Sequence, residues 1–357
     1  MPKKKVVVAM SGGVDSSVCA ALLKDQGFQA IGITMQIWPR AEHSGGCCGI
    51  ESIADAKKVA DQLDIPHYVL NFRQVFKEKV IANFCREYQR GRTPNPCIRC
   101  NQYIKFKALL TRARQLGADY IATGHYARIE FSKRRNKFLL KKGIDRSKDQ
   151  SYFLFRLNQT QLKHSLFPLG EFTKDRVRKI AQEKKLPVAK KSASQEICFI
   201  PDNNYVRFVK KHFPQAAPAG PIVNTKGETI GTHQGIIFYT VGQRKGIGIA
   251  APHPLYVSSI EPGTNTIVVG KKEDVLSDEL LADNVHFIYL DNLKAPLKVE
   301  AKVRYLHPAA PATLLVHQAG RVKVKFRRPQ WAVTPGQAVV FYQGDIVVGG
   351  GTISGNN

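Results

Sequence analysis

Val6-Val7-Val8-Ala9-Met10 runs directly into Ser11-Gly12-Gly13-Val14-Asp15-Ser16, and this junction decides the fold. Five consecutive apolar residues read as a strand buried on both faces. From Val14 to Leu23 the apolar positions recur at helical spacing and stop at Gly27. Between strand and helix, two glycines let the backbone turn tightly and bring its N–H groups against an anion. Ser11, Ser16 and Ser17 add hydroxyl donors, and the helix points its positive end at the same place. There is no Gly-Lys-Ser/Thr, so the loop is not of the Walker A type. If the loop holds phosphates, Asp15 would help hold a magnesium ion between them.

Outward from this junction, strands and helices alternate. Strands are expected at Ala30 to Trp38, His67 to Leu70 and Asp119 to Thr123. Ile53, Ala56, Val59, Ala60 and Leu63 fall on one helical face, and further helices are expected over Phe72 to Tyr88 and Tyr103 to Leu116. This alternation predicts a doubly wound parallel sheet, an α/β domain covering 1–204. Beyond it the chain turns to Pro, Gly and short β-type runs. Leu255 to Ile260 and Thr266 to Gly270 read as a hairpin. Strands are also expected at Val299 to Tyr305, Ala312 to Val316, Val322 to Phe326 and Ala338 to Tyr342. A small β domain at 205–272 and a β-barrel-like domain at 273–357 are the expectation.

The 357 residues include 54 Lys and Arg against 28 Asp and Glu, a net charge of +26. Such an excess exceeds what a small-molecule enzyme needs and suits a polyanion; charge alone does not separate RNA from DNA or an anionic membrane. The basic run Lys133, Arg134, Arg135, Lys137, Lys141 and Lys142 suits phosphates, or a solvated hairpin tip. The basic, apolar N-terminus gives way to Ser11-Gly12-Gly13 too early for an export signal. No stretch approaches the ~20 apolar residues of a membrane span. Seven cysteines, an odd number with none after Cys198, fit reduced thiols in a cytoplasmic protein.

Ser11 to Ser16 resembles the PP-loop of ATP pyrophosphatases, which split ATP between the α and β phosphates. Three further segments narrow the likeness: Gly91-Arg92-Thr93-Pro94-Asn95-Pro96-Cys97-Ile98-Arg99-Cys100-Asn101, Ala122-Thr123-Gly124-His125-Tyr126-Ala127, and Ser194-Gln195-Glu196-Ile197-Cys198-Phe199-Ile200. With Lys148-Asp149-Gln150-Ser151-Tyr152-Phe153 and Thr240-Val241-Gly242-Gln243-Arg244-Lys245-Gly246, they are similar to the bacterial tRNA-specific 2-thiouridylase family. The resemblance runs from the first strand into the C-terminal domain. It implies ATP with magnesium, adenylation of the 2-oxygen of the wobble uridine, and replacement of that oxygen by sulfur.

Matched by motif, the resemblance assigns a persulfide to Cys198 and the partner thiol to Cys100. Ala9, Met10, Ser11, Gly12, Gly13, Val14, Asp15, Ser16, Met35 and Gly124 would line the ATP pocket. Asn95 and Pro96 match the loop at the target base, and His125, Lys148, Asp149, Gln150, Arg304, Tyr305 and Gln337 match positions that touch tRNA. The implied partners are tRNA and a sulfur-donor protein, such as a cysteine desulfurase or a relay protein, with no membrane. One position departs from the family pattern: Cys97 stands where many members carry Asp. Cys97, Cys100 and Cys198 then offer three thiolates, suited to a 4Fe–4S cluster with one open iron. Redox and zinc chemistry are rival readings of the pair. Cluster and persulfide routes compete for Cys198. For Cys47 and Cys48, loop packing is the expectation.

Two other functions compete. An amide-forming ligase of the same ATPase class needs neither Cys100 nor Cys198. An RNA-binding module with a relic nucleotide site would not need Ser11 to Ser16 intact.

Overall fold

The computed structural model describes residues 3–38, 49–192, 197–200, 204–212, 218–318 and 320–355. Cys47, Cys48, Ser194, Gln195 and Glu196 lie outside the described residues. The chain divides into two compact units that are not contiguous in sequence. The first comprises 1–80, 97–203 and 345–347; the second comprises 81–96, 204–344 and 348–357.

In the first unit β1 (Lys5–Ala9), β2 (Gln29–Gln36), β3 (His67–Asn71), β4 (Tyr120–Ala122), β5 (Ala127–Ser132), β6 (Lys137–Lys142) and β7 (Ser165–Leu166) follow in chain order. Five of them form the expected parallel sheet, in the order β3-β2-β1-β4-β7. The central strand β1 is buried from Val6 to Ala9, which is why its sequence is continuously apolar rather than alternating. Val6 and Val8 share a core with Val18 and Leu23 of α1 (Val14–Asp25), with Ala56, Val59 and Ala60 of α2 (Ile50–Gln62), and with Val177 and Ile180 of the helix Lys174–Glu183. Sequence order reverses at β1, which has β2 on one side and β4 on the other. In a doubly wound sheet the crevice beyond the carboxyl end of such a strand is where ligands bind.

β5 and β6 pair in register from Ala127↔Lys142 to Ser132↔Lys137, so the basic run occupies a hairpin with Lys133, Arg134 and Arg135 exposed at its tip. Asp345–Val347 belong with this hairpin: Ile346 pairs Lys141, and the Asp345 carboxylate accepts from Arg128 and Arg146.

In the second unit β8 (Gly220–Asn224), β9 (Thr229–His233), β10 (Tyr256–Glu261) and β11 (Thr266–Gly270) form a sheet of order β10-β11-β8-β9. The expected hairpin is the antiparallel pair β10–β11. A second group follows: β12 (Leu276–Phe287), β13 (Leu297–Lys302), β14 (Ala310–Val316), β15 (Val322–Trp331), β16 (Ala338–Gln343) and β17 (Ile346–Gly355). Its order β12-β15-β14-β13-β16-β17 closes through β12–β17 pairing, making a six-stranded barrel with no free edge. The helices Ala82–Gln89 and Tyr205–His212 lie together in this unit through Phe84 against Phe208 and Tyr88 stacked on Tyr205.

Candidate nucleotide and sulfur site

The loop after β1 is braced by its own hydroxyls. Ser11 N–H donates to Ser16 Oγ at 3.1 Å, and Ser16 Oγ donates to the Gly13 carbonyl at 3.1 Å. Ser17 Oγ reaches the same carbonyl at 2.9 Å. Gly12 has φ +70°, and a Cβ there would lie 2.1 Å from the Ser52 carbonyl oxygen on α2, so only glycine fits. The result is a cavity of about 190 Å³ lined by Ser11 to Ser16, Ser52, Lys174, Lys191 and Ser192. Gly124 closes on the loop from behind: a Cβ there would stand 2.8 Å from the Asp15 carbonyl carbon. Ala9 and Met10 are buried beneath it, and Met35 is half-buried on β2.

Asp15 points its carboxylate at three donor contacts. Lys174 Nζ lies 2.6 Å from Oδ1 and 2.7 Å from Oδ2, and the Tyr126 hydroxyl donates to Oδ1 at 2.8 Å. The Lys174 side chain is only 13 % exposed. Burial, and then the Asp15 charge, push the Tyr126 hydroxyl far above its ordinary pKa, so it is a donor here. Asp15, at the mouth of a helix N-terminus, is thus held by an ammonium where the sequence suggested a magnesium ion. An acidic oxygen pair facing a polar cavity suits a hard divalent ion, provided that ion displaces Lys174.

Lys174, Tyr126, Ser52 and Lys191 were not legible as site residues. Lys174 left one signal: it opens its helix after the N-cap Thr173, where a cation opposes the helix dipole and needs another reason to be there. Lys191 pairs with Asp55 on α2 at 2.6 Å.

Among the cysteines, Cys19 and Cys85 are buried. Burial, reinforced by Asp15, raises the Cys19 thiol far out of the reactive range, and burial pushes Cys85 up to about 12. Cys97 is exposed, while Cys100 and Cys198 are half-buried. Cys100 opens the π-helical stretch Cys100–Ala108, preceded by Arg99, whose guanidinium lies 4.9 Å over the Tyr103 ring. Cys198 sits in a turn closed by Ile200 N–H to the Ile197 carbonyl at 2.8 Å. Its neighbour Phe199 anchors that turn between Trp38 and Phe76, with ring centroids at 6.3 and 5.6 Å. Among the described residues no three His, Cys, Asp or Glu side chains come together as a metal-ligand set.

The positions matched to tRNA contact fall into two groups. Lys148 is exposed. His125 and Asp149 are each only 7 % exposed and serve the protein's own structure. His125 Nδ1 lies 2.6 Å from Thr123 Oγ1, between Phe106 and Phe167. Burial, then Lys105, holds its pKa well below that of an ordinary imidazole. Asp149 accepts from the Gly143 and Ser151 N–H groups and the Ser151 hydroxyl, and Gln150 Oε1 accepts from Tyr126 N–H.

In the second unit Arg304 donates to the Val241 and Ala332 carbonyls, and Tyr305 lies under Lys302 at 5.4 Å. Gln337 donates to the Thr93 carbonyl, in the segment that leads to Asn95 and Pro96.

Three family models match in succession: a tRNA methyl transferase HUP domain over 4–202, a tRNA methyl transferase PRC-barrel domain over 206–271 and an aminomethyltransferase beta-barrel domain over 277–353. The tRNA-specific 2-thiouridylase MnmA of Pelotomaculum thermopropionicum is 55% identical, over 99% of this chain and 98% of its own. That of Clostridium perfringens is 53% identical over 99% of each chain. A solved structure, the U34-tRNA thiolase NcsA from Methanococcus maripaludis with its 4Fe–4S cluster, is 20% identical over 60% of this chain and 67% of its own, at a TM-score of 0.36. That likeness is too slight to bear on the cysteines. At these identities, over nearly the full length of the relatives, the chain belongs to the tRNA-specific 2-thiouridylase family.

Proposed function

We propose that this chain is an ATP-dependent tRNA-uridine 2-sulfurtransferase acting at the wobble position. The observation that carries the reading is the cavity beyond β1, where the Ser11–Ser16 loop faces Lys174 and Lys191. Backbone N–H groups, a helix N-terminus and two ammonium groups suit a polyphosphate. ATP would be held there, with Asp15 taking a magnesium ion in place of Lys174; the released ammonium then neutralises phosphate charge. Met35 and Gly124 belong to the same pocket in this reading.

The uridine 2-oxygen attacks the α-phosphorus and pyrophosphate leaves, converting a poor leaving group into AMP. A sulfur carried as a persulfide on Cys198 then attacks C2 and AMP departs. The Cys100 thiolate attacks Cys198 Sγ, releasing the sulfur on the base and leaving a Cys100–Cys198 disulfide for a cellular thiol to reduce. The half-exposed setting of both cysteines supports this route, since a nucleophilic thiol must be reachable. No step is routed through a cluster. Cys97 is then a bystander.

The division at 1–204, 205–272 and 273–357, a cytoplasmic location and a persulfide-donating partner protein complete the reading. Among the described residues no helix is long and apolar enough to cross a membrane. The reading is tested by pyrophosphate release: adding tRNA with a wobble uridine should start ATP cleavage, and adding tRNA with a wobble cytidine should not. ATP cleavage indifferent to tRNA would overturn it.

A further inference from the structure

Residues 91–95 leave the helix Ala82–Gln89 as a short strap, and the rest of the second unit grips that strap most fully at Thr93. All three polar groups of Thr93 are engaged. Its N–H donates to the Pro335 carbonyl at 2.8 Å, its carbonyl accepts from Gln337 Nε2 at 2.9 Å, and its hydroxyl donates to Thr240 Oγ1 at 3.1 Å. Gly336, between the two barrel contacts, has φ +90°, and a Cβ there would lie 2.9 Å from Thr93 N. The backbones therefore touch with no space for a side chain. Arg92 adds a bond from Nη2 to the Ile353 carbonyl at 3.1 Å and an ion pair with Glu87 at 3.1 Å. The gripping turn is itself fixed: Gly336 N–H donates to the Ile353 carbonyl and Ile353 N–H to the Gln337 carbonyl, both at 2.8 Å. A strap that merely passed over the surface would leave its carbonyl and hydroxyl to water.

We propose that Gln337 is a positioning residue: by holding the Thr93 carbonyl it fixes the strap two residues before Asn95-Pro96 and so sets where that loop meets the target uridine. This rests on the function proposed above and on the family resemblance, which puts Asn95 and Pro96 at the target base. Gln337 thereby acts through the protein's own backbone, a role separate from any contact with RNA.

The test uses the full-length protein without RNA and reads amide hydrogen exchange at Thr93 and Asn95. In Gln337→Glu the shape is kept, but the donor becomes an ionised acceptor facing a carbonyl. Thr93 exchange should rise about tenfold, as expected for loss of one buried hydrogen bond. Thr240→Val, which removes the hydroxyl's partner, should shift Thr93 exchange in the same direction and covers the case in which Gln337→Glu does not fold. With tRNA and ATP added, kcat for thiolation should fall about tenfold in Gln337→Glu, while KM for ATP stays unchanged.

Wild-type exchange at Thr93 in both variants would overturn the proposal, as would faster exchange with unchanged kcat. So would lost tRNA affinity with Thr93 still protected, which would make Gln337 an RNA contact only. A wild-type protein that forms no 2-thiouridine would sink the functional reading instead, while the exchange data would still decide whether Gln337 holds Thr93.

Discussion

Asp15 concentrates the chemistry of the first unit into one side chain, since it meets Lys174 and Tyr126 while sitting in the loop proposed to hold phosphate. Replacing it with Ala strands an ammonium that is mostly buried, at a stability cost of roughly 1–3 kcal/mol. Asp15→Ala should lower thiolation at least about a hundredfold and leave tRNA affinity intact, because the exposed basic residues are unchanged. Unchanged turnover would remove the loop from the mechanism. Lys174→Met should raise KM for ATP by about tenfold or more through the lost phosphate partner; an unaltered KM would confine Lys174 to a structural role.

The thiols are graded by the same logic of burial. Brief alkylation at neutral pH followed by peptide mass spectrometry should modify Cys97 first and leave Cys19 and Cys85 untouched. Labelling of Cys85 at the rate of Cys97 would contradict the burial that holds its thiol neutral.

His125 makes stability depend on pH. Burial lowers its folded pKa, so below about 6.5 the unfolded chain binds a proton that the folded chain refuses. Stability is full above that pH and is lost as pH falls through the window, by up to about 1.4 kcal/mol per unit for one proton. Urea titrations at pH 7 and pH 5 should show this loss, and His125→Asn should flatten it. An equal slope in the variant would place the titration elsewhere, for instance on His67, whose pKa burial also lowers.

At the level of elements, the junction of β1, loop and α1 is the part that must not change. Gly12→Ala would place a methyl group 2.1 Å from the Ser52 carbonyl in a backbone conformation that L residues avoid, so ATP binding should be lost while the barrel still folds. Tight ATP binding by that variant would mean that the phosphates lie elsewhere.

This junction was legible because everything that makes it is local: a continuous apolar run, two glycines and a helix start within a dozen residues. The hairpin β10–β11 and strands such as β14 were legible for the same reason. The other half of the cavity was not, because Ser52, Lys174 and Lys191 arrive from α2, from a distant helix and from the segment after it. The two strands whose pairing closes the barrel were also hidden. β12 reads Leu-Ser-Asp-Glu-Leu-Leu-Ala-Asp-Asn-Val-His-Phe without clean alternation, and β17 carries three consecutive glycines. At His125 and Asp149 the motif marked positions of consequence but carried no information on burial. Their side chains turn inward, where Thr123, Ser151 and backbone N–H groups use them.

Across the whole molecule the charge of +26 sets how it meets a polyanion. Affinity for tRNA should fall with salt at a log–log slope of roughly −0.7 to −0.9 for each phosphate contacted, since each contact releases condensed counterions. The hairpin tip supplies a local check. Changing Lys133, Arg134 and Arg135 together to Gln should reduce that slope by about 2 to 3 if all three meet phosphates, and by nothing if the tip only faces solvent.

These surfaces matter for function only if the cavity beyond β1 drives sulfur into RNA. The most direct measurement is nucleoside analysis by mass spectrometry of unmodified tRNA carrying a wobble uridine, after incubation with the protein, ATP, magnesium and a persulfide donor. The account predicts 2-thiouridine at the wobble position, formed with ATP and absent with a non-cleavable α,β analogue or with the Cys198→Ser variant. An unmodified wobble uridine under all of these conditions, or equal 2-thiouridine with the analogue, would contradict it.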